Sequence, residues 1–300
     1  MSTPPAFPRA VPRLALVVGS GGVRGVAAIG VADILEREGL RVDLVAGCSS
    51  GALFGATVAM GMPAYHALRA ATDFWRAELT EQRRWKAYAQ LVAPRLLGFG
   101  ADFAMRDPGL IRKTLDAAFG DLRIERLPLQ FRVAATEADT GRGVVLSSGR
   151  VADAVLASMA VPFLFPSVVV DGKRLVDGVL SDPLPVSAAS DASAVVALGF
   201  EGSMPRRVDR PSRLVAQFTT SLTNNLQEAR LEAARASGQA VLSLDLKLDR
   251  RVGLWETEAM PYLFQAGRAA AISKLRELHA LLDGRRPAPV AHRDPEATSA

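Results

Sequence analysis

A serine between glycines in Gly47-Cys48-Ser49-Ser50-Gly51 gives the spacing G-x-S-x-G, directly after the apolar run Leu44-Val45-Ala46. A strand that reverses into a helix at such a point holds its serine in a strained backbone with the hydroxyl exposed. The flanking glycines, lacking Cβ, leave room for the reversal. Ser49 would also stand at the first turn of a helix, where free N–H groups and the dipole favour developing negative charge. This is the chemistry of a nucleophile attacking a carbonyl. The plain alternative is a serine capping a helix.

A second element able to meet negative charge is the loop Gly19-Ser20-Gly21-Gly22-Val23-Arg24-Gly25. It fails as a dinucleotide fingerprint, because the sixth position from Gly19 is Arg24 and the next strand has Asp43 at its beginning, not an acid at its end. It also lacks the Gly-Lys-Ser/Thr of a phosphate-binding P-loop. Adjacent main-chain N–H groups at Gly21 and Gly22 suit an oxyanion instead, each such donor being worth about 3–4 kcal/mol in a transition state.

A serine hydroxyl needs a base. The three histidines, His66, His279 and His292, fall in an early helix, the last helix and the tail. None follows a last strand as the α/β-hydrolase order requires. An aspartate can serve where a water-poor site raises its proton affinity. Two Asp-Gly pairs compete. Asp171-Gly172 is accounted for by a type I′ hairpin turn within VVVDGKRLV. Asp177-Gly178 follows KRLV, where no turn is demanded, although an aspartate capping a turn is the structural alternative.

These residues need a frame, and the apolar pattern supplies one. LALVV (14–18) reads as a buried strand, followed by the glycine loop and a helix through about Glu38; residues 44–46 form the second strand, with a helix to about Gly61. That alternation predicts a doubly wound α/β sheet, whose ligand edge collects the loops after the strands. Further strands are expected at 131–135, 144–146, 168–176, 195–198 and 241–246. Helices are expected at 151–159, 214–236 (amphipathic) and 258–282. Residues 62–119 read as a helical excursion or lid, 1–12 as a disordered lead and 284–300 as a disordered tail around a domain at 13–283.

Hydrophobic residues are 49% of 300 but aromatics only 6%, which suits helices on a parallel sheet better than a sandwich. A single cysteine, Cys48, permits no intrachain disulfide, and a cytoplasmic setting is expected. The net charge of +5 is carried by arginine clusters at 83–86, 206–213 and 285–286. Solvated faces of an arginine-biased composition are the plain reading; no nucleic-acid motif accompanies the clusters, so among functional uses transient contact with an anionic membrane is the better one.

In chain order, GSGGVRG, GCSSG and DGV resemble the patatin-like phospholipase family, with details most similar to its bacterial branch related to neuropathy target esterase. VAGCSSGALFGA, ATEADTGRGVVLSSGRVADAVLASMAVPFLFP, LVDGVLSDPLPV and MPYLFQAGRAAA extend the likeness from Arg13 to Leu282. The resemblance implies a three-layer α/β/α fold with a mostly parallel sheet, and a lipid-ester hydrolase that works through a Ser–Asp dyad without histidine, cofactor or metal. It makes Ser49 the acylated nucleophile and Asp177 its base. Gly21 and Gly22, with the Val23 amide, become the oxyanion hole, and Arg24 the loop's basic position. Three departures stand out. Ser20 replaces the first glycine, Val179 follows Asp-Gly where Gly or Ala is usual, and Asp182 replaces asparagine, a carboxylate expected to raise the pKa of Asp177. A lipid-binding protein without turnover and an esterase for small esters are the alternative readings.

Overall fold

Strand β1 (Leu14–Val18) is buried along its whole length because parallel strands cover both of its edges and side chains cover both of its faces. A computed structural model describes residues 11, 13–75, 84–101, 103–205 and 207–283. The expected lead apart from Val11, the expected tail, His292, and the basic residues Arg83, Arg206, Arg285 and Arg286 lie outside them.

Beside β1 run β2 (Leu44–Cys48) and β3 (Gln130–Glu137) on one side, and β7 (Ala194–Leu198) and β8 (Val241–Leu244) on the other, all parallel. The antiparallel part is a hairpin of β5 (Val168–Val170) and β6 (Lys173–Asp177), joined to β3, while β4 (Gly143–Leu146) also pairs with β3. The order is β5-β6-β3-β2-β1-β7-β8. Asp171 and Gly172 both take positive φ at the hairpin, as a type I′ turn requires.

Alternation along β1 divides two cores. Leu14, Leu16 and Val18 face one, Ala15 and Val17 the other. The first is covered by α1 (Ala27–Arg37), α2 (Ser50–Ala59), α3 (Ala64–Phe74), α5 (Gly109–Phe119), α6 (Val151–Ser158) and α8 (Met260–Ser273). The second is closed by residues 184–192 and the C-terminal half of α7 (Pro211–Ala236). The result is a three-layer α/β/α fold. Helix α2 is buried on every side, which is why it is built from small residues with no polar face.

Three details differ from the expected pattern. The chain after the glycine loop begins as a 3-10 turn at Gly22–Val26 before α1. Strand β8 stops at Leu244. The closing helix breaks at Lys274 into α8 and α9 (Leu275–Leu282). Within 62–119, α3 and α5 bury Ala67, Ala71, Phe74, Ile111, Leu115 and Phe119 in the main core. Among the described residues of this stretch, those from Ala89 to Gly100, in the second half of α4 (Trp85–Val92) and the turn after it, are largely exposed. No helix among the described residues is long and apolar enough to cross a membrane.

Candidate active site

Two sheet registers bring the distant residues together. Cys48, the last residue of β2, pairs with Ala134 of β3, and the next residue, Ala135, pairs with Asp177 at the end of β6. The residue after Cys48 therefore emerges beside Asp177. Ser49 Oγ donates to Asp177 Oδ2 at 2.7 Å.

The reversal at Ser49 is as tight as the spacing predicts. Its φ of 56° and ψ of −125° lie where a side chain is rarely tolerated. Gly51 faces β1, and a Cβ there would stand 2.3 Å from the Val18 carbonyl oxygen. Strain of this kind persists only when surroundings impose it, and Ser158 helps to do so. Its Oγ accepts the Ser49 N–H at 2.8 Å and donates to the Ala134 carbonyl at 2.6 Å. Sequence reasoning gave Ser158 no role. Its signal was a hydroxyl at the end of α6, an otherwise apolar helix apart from Asp153. Ser158→Ala strands a buried N–H and a buried carbonyl, so the expected loss is about 2–4 kcal/mol of stability, read from denaturant unfolding.

Asp177 is completely buried. Its Oδ1 accepts the Val179 N–H at 2.9 Å and the Cys48 thiol at 3.9 Å, and its own carbonyl accepts from Thr136 Oγ1. Burial pushes its pKa up to about 7, against the opposing pull of the bonds from Val179, Ser49 and Cys48. Asp182, expected to contribute to that rise, does not. Its carboxylate accepts from Ser187 Oγ at 2.7 Å and faces Arg230 at 3.7 Å, so desolvation and not a second carboxylate perturbs Asp177. Burial likewise pushes the Cys48 thiol well above its usual range, with the Asp177 and Asp182 charges adding to it.

The glycine loop abuts the same turn, since the Gly21 N–H donates to Ser50 Oγ at 3.2 Å. Gly22 takes φ of 61° and packs so closely on Leu254 that a Cβ would stand 2.7 Å from that residue's carbonyl oxygen. The Gly22 N–H has no acceptor among the described residues. Val23, expected as a third donor, instead gives its N–H to the Leu254 carbonyl at 2.9 Å, because the 3-10 turn aims it there. Arg24 braces the loop by donating to the carbonyls of Gly21 and Glu201 and lies over the Phe200 ring. A cleft of about 660 Å³ shares Arg24 and Phe200 but neither Ser49 nor Asp177.

The other two departures, Ser20 and Val179, fit this geometry. Ser20 uses its N–H on the Pro183 carbonyl, a bond glycine makes equally well. Val179 holds Asp177 by its backbone and leaves the 2.7 Å bond between Ser49 and Asp177 intact. Asp171 lies exposed at the hairpin tip, and His66 and His279 are exposed on α3 and α9.

Residues 16–190, more than half of the chain, match the sequence profile of the patatin-like phospholipases. The chain belongs to the patatin-like phospholipase family. Among its curated relatives, an uncharacterized NTE family protein of Mycobacterium tuberculosis is 34% identical over 200 residues, covering 64% of this patatin-like chain and 50% of that protein. A second from the same organism is 29% identical over 286 residues, covering 88% and 46%. Lysophospholipase nte1 of Emericella nidulans is 32% identical over 193 residues, covering 62% and 12%. This patatin-like chain thus spans about half the length of the mycobacterial relatives and a smaller share of the fungal one. Among solved structures, VipD from Legionella pneumophila superposes with a TM-score of 0.45 at 13% identity, over 92% of this chain and 67% of that one.

Proposed function

We propose that the chain is a serine acyl hydrolase that cleaves carboxyl esters of lysophospholipids, phospholipids or related lipids through an acyl-enzyme. The observation that carries the reading is the 2.7 Å bond from Ser49 Oγ to a fully buried carboxylate. Family membership gives the substrate class. Ser49 Oγ attacks the acyl carbonyl carbon while its proton passes to Asp177 Oδ2, and the carbonyl π electrons move to oxygen. The N–H groups of Gly22 and Gly21 receive that oxyanion, the latter by exchanging its 3.2 Å bond to Ser50. Collapse breaks the ester C–O bond, and the protonated Asp177 returns its proton to the departing alkoxide. Water then attacks the acyl carbonyl carbon as Asp177 takes its proton, the bond to Ser49 Oγ breaks with that proton returned to Ser49, and the fatty acid leaves. A carboxylate poised near 7 is suited to both halves, since it accepts and releases a proton at little cost near neutral pH. The lipid is met at an anionic membrane surface.

The test is labelling of the folded chain with a fluorophosphonate, followed by peptide mapping. The expected adduct is on Ser49 alone, together with turnover of a soluble acyl ester that Ser49→Ala abolishes. An inert Ser49 in folded protein, or turnover that survives Ser49→Ala, overturns the reading.

A further inference from the structure

Helix α7 is inside out over residues 214–227. A surface helix ordinarily turns its apolar stripe to the core and its polar side to water. Here Thr220, Asn224 and Gln227 face the protein. Gln227 Oε1 accepts the Phe200 N–H, and Asn224 exchanges two hydrogen bonds with the Gly202 backbone. On the opposite side Leu214, Val215, Phe218 and Leu222 face solvent, Phe218 at 59% and Leu222 at 69% exposure. Their spacing of i, i+1, i+4 and i+8 makes one continuous stripe.

The stripe stands at the edge of the sheet where Ser49 opens. Gln227 and Asn224 meet residues that have just left the carboxyl end of β7, and they do so in reverse order along the chain. Residues 211–223 therefore project beyond that edge as about 20 Å of helix. Other exposed apolar side chains belong to the same rim. Leu180 lies three residues past Asp177, Leu254 holds the glycine loop through its carbonyl, and Phe163 follows the helix that ends at Ser158. Arginines 207, 210 and 213 stand exposed at the head of the stripe, Arg213 paired with Asp209.

We propose that the N-terminal half of α7 is a membrane anchor, which lies in the headgroup region of an anionic bilayer and turns the Ser49 edge toward it. An apolar stripe headed by arginine is the pattern of a helix that lies in a lipid interface. A second copy of this chain is the poorer occupant, because each copy carries a net charge of +5, which repels a like partner and attracts an anionic surface. The inference rests on the lipid-ester reading for its purpose, but it is measured without turnover.

The experiment is flotation of the full chain with vesicles of ether-linked phosphatidylcholine, with and without ether-linked phosphatidylglycerol, which contain no ester to cleave. The chain is expected to float with the anionic vesicles. Phe218→Glu with Leu222→Glu weakens partitioning by about a hundredfold, since two large apolar side chains lose their burial. Arg207→Glu with Arg210→Glu abolishes the preference for phosphatidylglycerol. A fluorophore on Phe218→Cys shifts to the blue on addition of anionic vesicles, which reports insertion without any loss of function. A parent chain that stays in solution, a stripe variant that floats as the parent does, or a stripe variant that only changes oligomeric mass in light scattering overturns the anchor. Floating without ester turnover would instead remove the catalytic reading alone.

Discussion

Asp177→Asn is expected to lower kcat/KM for a soluble acyl ester by about 10²–10⁴, the range a positioned general base contributes, while Asp171→Asn leaves it unchanged. Asparagine keeps the shape and can still accept the Val179 N–H that now bonds Oδ1, but it cannot take a proton from Ser49. Asp171 sits at an exposed turn with φ of 49°, a conformation asparagine adopts readily. The parent chain is expected to add a second signature. Its kcat/KM rises with pH and reaches a plateau above about 7, where the buried carboxylate has lost its proton. Full activity in Asp177→Asn, or a profile with no limb near neutrality, removes Asp177 as the base.

The same substitution is expected to stabilise the fold at alkaline pH. Burial raises the Asp177 carboxyl from 3.8 to about 7, so between those values the folded chain holds a proton that the unfolded chain has released. The contribution of the neutral carboxyl is complete below about pH 4 and is lost as pH rises through about 7, which amounts to about 4 kcal/mol. Asparagine avoids ionisation altogether. Guanidinium unfolding at about pH 8.5 should therefore show Asp177→Asn more stable than the parent by up to about 4 kcal/mol, with the gap closing toward about pH 4. Equal stability at both pH values would mean that the carboxylate is solvated in the folded state. Together the two results describe one group, whose ionisation serves proton transfer at the expense of stability.

Local motifs were legible where local physics decides them. The positive φ at Ser49 follows from a strand that must turn at once into a helix, and Gly47 and Gly51 announce that turn in sequence. The hairpin at Asp171-Gly172 and the buried run of β1 are legible for the same reason. Side chains whose partners lie far along the chain were not. Val23 looked free to donate until the Leu254 carbonyl was seen to take its N–H. Asp182 looked like a neighbouring charge, yet it points to Ser187 and Arg230. Ser158 could be assigned a role only once α6 was known to end against the Ser49 turn.

The sequence by itself determined the candidate groups Ser49 and Asp177, the tight turn that displays the serine, and the family resemblance that pairs it with an aspartate. Tertiary structure decided the rest. The contact between Ser49 and Asp177 depends on adjacent residues of β3 pairing with β2 and β6, and a one-residue slip in either register would send a side chain to the other face of the sheet. Likewise, the spacing of apolar residues on α7 fixes a stripe but not its direction. Only the bonds from Asn224 and Gln227 to the chain after β7 settle which side faces water. Spacing is a property of one segment, whereas orientation and proton affinity are properties of what another segment brings against it.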